Sequence, residues 1–264
     1  VATELDREDT RPDPLAPGDC LSIRDGRLAI EELDVAELAT RFGTPLYVHS
    51  EAQLRANARA VVDAFTEQWA EGSVLVMPSI KANLSLALRR ILTEEGTGCD
   101  CFGPGELEAA LRTGVDPERI SLNGSTKNAE LLERAIVAGV RVTLDSIAEL
   151  ERVREIARRL GAVAQVRLRL RPWLEVEEPT DLLADPLSIR LATQRYKPGI
   201  PTAEVLALDP ATVAAPELEL RGLMVHIGRQ GRDPEIWGTL AGWLAEMTGR
   251  LSEAWGGWRP RELD

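Results

Sequence analysis

Lysine is almost missing from this 264-residue chain: Lys81, Lys127 and Lys197 are the whole supply among 31 basic residues, the rest being arginine. There are two histidines, His49 and His226, three cysteines, and aromatic residues make up 4% of the sequence. The odd set Cys20, Cys99 and Cys101 offers no second pair to match Cys99-x-Cys101, which argues against a disulfide framework and a zinc site. No metal is expected, and Cys99 and Cys101 read as small buried residues on one face of a short strand. No run approaches the ~18 apolar residues of a membrane helix. The opening stretch is acidic and proline-bearing rather than basic then apolar. A net charge of −12 leaves no basic excess for a nucleic-acid surface. These absences point to a cytoplasmic protein with neither a membrane nor a nucleic-acid partner.

What is present is a regular alternation. After a segment expected to be disordered (residues 1–19), Cys20-Leu21-Ser22-Ile23 and Arg27-Leu28-Ala29-Ile30 flank the turn at Asp25-Gly26 and read as a short hairpin. From Pro45 onward, apolar strand-like runs alternate with helix-length segments, as in a mainly parallel sheet. The strands are expected at 46–48, 73–77, 98–101, 119–122, 140–144, 163–170 and 218–227, with an incipient one at 262–264. Helices are expected from the capping boxes at Ser50 and Ser146, near 84–92, from Gly103-Pro104 through Leu111, over 131–137, and from Asp233-Pro234. The segment 171–201, spaced by prolines, reads mostly as loop. Seven strands and the start of an eighth is the pattern of a (β/α)8 barrel cut at its last strand. No G-x-G-x-x-G or Walker A run favours an open doubly wound sheet.

In a barrel, the C-terminal ends of the strands would bring Lys81, Asp100, Asn123, Asp145, Arg169 and His226 together. Lys81 follows an apolar run in a chain that has otherwise chosen arginine. Lysine can form a Schiff base and arginine cannot, so Lys81 is a candidate carrier of pyridoxal phosphate (PLP), or else a surface lysine opening a helix. His226, closing the run Leu223-Met224-Val225, can stack on a planar cofactor, move protons, or be a satisfied core histidine.

Six motifs occur in order: Lys81-Ala82-Asn83; Gly98-Cys99-Asp100-Cys101 with Gly105-Glu106-Leu107; Asn123-Gly124-x-x-Lys127; Leu144-Asp145-Ser146; Leu168-Arg169-x-x-Pro172; and His226-Ile227-Gly228-x-Gln230. From about Leu21 to Asp264 this set resembles the fold-type III PLP-dependent decarboxylases, the diaminopimelate, ornithine and arginine decarboxylase group with an alanine-racemase-like barrel. The resemblance implies PLP held on Lys81, with His226 stacked on its ring and Asp100, Glu106 and Arg169 around it. It implies loss of the α-carboxylate of an amino-acid substrate, in a homodimer with shared active sites. It also divides the chain into N-terminal strands at 20–40 that associate with a β domain, and a PLP-binding barrel at 41–264, incomplete at its C-terminal end. The acid facing the pyridine nitrogen would lie beyond Asp264, so the chain is expected to be part of a longer protein.

Departures bear on the substrate. Pro78 and Ser79 stand where the family has an aromatic residue and an alanine, and Met224 stands where a second histidine is frequent. Arg229 stands where the family commonly has a serine that holds the cofactor phosphate; arginine can do the same with more charge, or fill the space. Residues 194–199 differ from the family's Ser-Lys-Phe-Gly. The arginine-rich strand to Arg171, followed by Trp173, makes a substrate with an extra carboxylate conceivable. A single-barrel PLP carrier and an amino-acid racemase are the competing readings.

Overall fold

A computed structural model describes residues 20–172, 197–228 and 234–264. Two compact units divide the chain, one holding residues up to 76 together with 90–97, the other 77–89 together with 98–264. Residues 1–19, Trp173, Gln194 to Tyr196, Arg229 and Asp233, each of which carries an expectation above, lie outside the described residues.

In the first unit, β1 (Leu21–Arg24) and β2 (Arg27–Ile30) form the expected antiparallel hairpin, and β3 (Leu33–Asp34) adds to it. The turn places Asp25 and Gly26 at positive φ, a conformation glycine adopts without steric cost. Asp34 caps α1 (Val35–Phe42) by accepting from the amides of Ala36 and Glu37. Ser50 caps α2 (Glu51–Gln68) through a bond from the Gln53 amide, as the capping box predicts. A cavity of about 470 Å³ is lined by residues of this unit alone, among them Ile30, Val48 and His49.

Two expected strands are not formed. Among the described residues, 46–48 pair with no strand, and Tyr47 is 91% exposed. Residues 73–77 are likewise unpaired. Apolar composition marks a segment for burial, but a strand needs a neighbour to take its backbone groups. Pro45 and Pro78 each lack the amide that would start a ladder. The ladder begins only at Ser79, which bridges Asp100, while the Pro78 carbonyl accepts from the Asp100 amide.

The second unit is an α/β fold built on a curled parallel sheet, a half-barrel. Its strands are β4 (Cys99–Cys101), β5 (Ile120–Leu122), β6 (Arg141–Leu144), β7 (Ala164–Arg171), β8 (Ile200–Pro201), β9 (Leu218–Val225) and β10 (Glu262–Leu263). The order across the sheet is β10-β9-β7-β6-β5-β4, with β8 paired to the end of β7. Every pairing is parallel, so helices cross between strands. The helices are α3 (Leu86–Glu94), whose residues fall in both units, α4 (Pro104–Arg112), α5 (Ala129–Ala138), α6 (Ile147–Leu160), the short α7 (Thr202–Leu206) and α8 (Pro210–Val213), and α9 (Pro234–Ala254).

Strands β5, β6 and β7 alternate in character, and the alternation explains the sheet's two faces. Ile120, Leu122, Val142, Leu144, Val166, Leu168 and Leu170 are buried, nearly all completely, in one apolar cluster with α5 and α6 side chains such as Leu132 and Val153. Each such side chain contributes roughly 1.5–3 kcal/mol by leaving water. Cys99 and Cys101 are both fully buried in this cluster, as their spacing predicts. The opposite face carries Ser121, Thr143, Arg141, Arg167 and Arg169, all buried and polar. On α9, Ile236, Leu240, Leu244, Met247 and Leu251 form a buried stripe.

Candidate active site

The polar face ends in a cluster of charge at the C-terminal ends of the strands. Lys81 sits in a single 3-10 turn, Ile80–Ala82, immediately after the Ser79 bridge. Ile80 is buried and anchors the turn, while Lys81 is exposed with its Nζ 4.2 Å from the centre of the Phe102 ring. That is a cation–π contact from the residue that follows β4. Among the described residues, no acid lies within ion-pair distance of Lys81.

Lys127 is different in kind. It is buried, with its ammonium 3.0 Å from Glu149 and donating to the Gly124 carbonyl. Glu149 also accepts from the Asp145 amide at 2.9 Å, so Lys127 pins the turn that leads from β6 into α6. Its place in the Asn123-Gly124-x-x-Lys127 motif is thus explained by structure rather than chemistry.

Asp100, central in β4, accepts a short hydrogen bond from the Asn123 side chain at the end of β5. Burial pushes its carboxyl above the usual range, with the Asn123 bond and the Lys81 charge acting in the opposite direction. Arg169, on β7, is buried with Nη1 3.6 Å from Asp145, and burial lowers its pKa against the pull of that carboxylate. Its Nε is buried with no acceptor, and both carboxylate oxygens of Asp145 are buried with no hydrogen-bond donor. His226 follows β9. Part of its ring is exposed, yet the surrounding protein atoms and the cations Lys197, Arg169 and Lys81 push its pKa down to about 4. It is therefore a neutral imidazole near pH 7.

Lys81, Asp100, Arg169 and His226 are thus close enough to act on one another's charge, together with Asp264. Glu106 occupies a more local position: its carboxylate accepts from the Phe102 amide at 2.7 Å, closing the turn between β4 and α4. That bond fixes the Phe102 ring beneath Lys81. Phe102, Lys197 and Asp264 were not singled out as site residues from sequence. Phe102 follows Asp100-Cys101 directly, and a ring one residue beyond a strand end was the available signal. Arg229 lies outside the described residues.

Fold and site together define a class: a parallel half-barrel that presents one free lysine among acids, arginines and a neutral histidine at the C-terminal ends of its strands. Residues 51–245 match the family model described as pyridoxal-dependent decarboxylase, pyridoxal binding domain, and the chain belongs to that family. The chain is 31% identical over 236 residues to diaminopimelate decarboxylase of Zymomonas mobilis, covering 88% of this chain and 54% of that protein. It is 39% identical over 222 residues to the enzyme of the same name from Methanocaldococcus jannaschii, covering 81% and 49%. The crystal structure of the M. jannaschii enzyme in complex with L-lysine superposes with a TM-score of 0.79 at 28% identity, over 93% of this chain and 56% of that one. The chain spans about half the length of the curated relatives it matches. No helix among the described residues is long and apolar enough to cross a membrane.

Proposed function

We propose that this chain is the cofactor-binding part of a PLP-dependent amino-acid decarboxylase of the diaminopimelate type, acting on a small amino acid in a homodimer with shared active sites. The observation that carries the reading is the convergence of Lys81, Asp100, Arg169 and His226 on one end of the half-barrel sheet. The relatives' activity and the structure holding L-lysine support it. On this reading the sheet is an eight-stranded barrel interrupted at β10. Residues 20–40 then belong with a further β domain, and residues 41–264 form the barrel.

The residues present fit PLP. An exposed primary amine without an ion-pair partner stands ready for a covalent link, and the unsatisfied Nε of buried Arg169 marks a place that wants an acceptor. Lys81 would hold the cofactor covalently; Asp100, Glu106, Arg169, His226 and Arg229 would surround it. Bound there, the cofactor supplies an electron sink for the charge left when the α-carboxylate departs.

The chain's own contribution is orientation and proton control. Asn123 donates to the Asp100 carboxyl and so fixes its position beside the charge of Lys81. His226, neutral at pH 7, presents a flat ring that adds no positive charge to a site already rich in cations. Arg169 fixes Asp145, and Lys127 through Glu149 fixes the backbone carrying it.

The test is carbon dioxide release from meso-diaminopimelate by the PLP-loaded protein. Release that disappears in Lys81→Ala supports the reading. Racemisation without release, or PLP binding with neither, would replace it with a racemase or a PLP carrier.

A further inference from the structure

We propose that Arg171 reads a second carboxylate on the substrate, remote from the carbon that reacts; this deepens the decarboxylase reading and rests on it. Arg167, Arg169 and Arg171 occupy alternate positions of β7 and so point to the same face of the sheet. Two of the three face an acid. Arg167 donates to Asp264 at 2.7 Å and also to the hydroxyls of Ser121 and Thr143. Arg169 faces Asp145 at 3.6 Å. Among the described residues, no acid and no hydrogen-bond acceptor meets the Arg171 guanidinium.

Its Nε is nevertheless shielded from water while the residue as a whole is half-buried. A shielded donor without a partner costs free energy that an arriving acceptor would recover. The backbone there is fixed: Arg171 lies opposite Pro201 of β8, and its carbonyl accepts from the Thr202 hydroxyl at 3.3 Å. Arg171 is therefore a held cation, unmatched among the described residues, one step beyond Arg169 at the strand end where ligands meet this architecture. A guanidinium fork in that position suits a carboxylate taken through two bonds.

The departing carboxylate is the wrong choice of ligand. It loses its charge on becoming carbon dioxide, so a cation bound to it would stabilise the ground state more than the transition state and slow the reaction. A carboxylate at the far end of the substrate keeps its charge throughout and can be held without that penalty.

The experiment measures calorimetric affinity of the PLP-loaded protein for 2-aminopimelate and 2-aminoheptanoate, which share a chain length and differ in the second carboxylate. PLP affinity and carbon dioxide release from meso-diaminopimelate are measured in parallel. The wild type is expected to prefer the diacid by about 10- to 100-fold. Arg171→Gln should erase that preference with PLP affinity and 2-aminoheptanoate affinity unchanged, and Arg171→Lys should keep part of it. If Arg171→Gln does not fold, the partial loss in Arg171→Lys carries the test. No preference in the wild type, full preference in the variants, or weakened PLP binding in Arg171→Gln, which would assign the fork to the cofactor phosphate, would each overturn the proposal. Diacid preference without carbon dioxide release would remove the decarboxylase reading while leaving Arg171 as the reader of the second carboxylate.

Discussion

Arg167 and Asp264 are 97 positions apart in sequence and joined at 2.7 Å, a buried guanidinium on β7 holding a carboxylate that follows β10. With the backbone bonds from the Val225 amide to the Asp264 carbonyl and from the Asp264 amide to the Leu223 carbonyl, this pair ties the last strand into the sheet. Replacing Arg167 with Met leaves Ser121, Thr143 and Asp264 without their donor. The expected loss is about 3 kcal/mol in a urea titration. A loss below about 1 kcal/mol would show that the pair is dispensable.

Gly222 of β9 makes the same docking possible by having no side chain. A Cβ there would overlap the carbonyl of Glu262, opposite it in the parallel register. Gly222→Ala should cost about 1–3 kcal/mol and accelerate amide exchange in residues 262–264 above all. Uniform exchange across the sheet would contradict this local origin.

The two best-placed lysines should respond oppositely to removal. Lys127→Met leaves buried Glu149 uncompensated and is expected to cost about 3–5 kcal/mol. Lys81→Met, at an exposed position without an ion pair, should leave the urea midpoint nearly unchanged while abolishing cofactor attachment. Equal destabilisation by both would mean that Lys81 is structural.

His226 gives a pH dependence with a definite sign. An ordinary histidine takes up its proton near 6.5 and His226 near 4. Between those values the unfolded chain binds a proton that the folded chain does not, so this contribution to stability is full above about 6.5 and declines as pH falls towards 4. His226→Gln should flatten that decline, as read from urea midpoints at pH 4.5, 5.5 and 7. A decline of equal slope in both proteins would place its origin elsewhere.

Much of this arrangement was legible in the residues. Strands β4, β5, β6, β7 and β9, and the start of another at Glu262, fall within about two residues of their expected positions, whereas β8 (Ile200–Pro201) formed in a stretch read as loop. Their pattern, exemplified by Val166 to Arg171, alternates a packed face with a polar one. The helix starts at Ser50, Pro104 and Ser146 were legible because a cap is a local interaction. Residues 46–48 and 73–77 were misread because pairing depends on a partner that composition does not reveal. Val61 and Phe65 of α2 share one helical face by their spacing, yet both are exposed. In the site, Lys81 stood out by scarcity. The role of Lys127 did not, since burial beside Glu149 is a tertiary fact.

The most direct test of the account is borohydride reduction of the protein with PLP, followed by intact mass and peptide mapping. Lys127 is buried in an ion pair, and Lys197 already makes contacts of its own, so the account predicts one adduct, on the peptide carrying Lys81. An adduct confined to Lys127 or Lys197, or none at all, would contradict it.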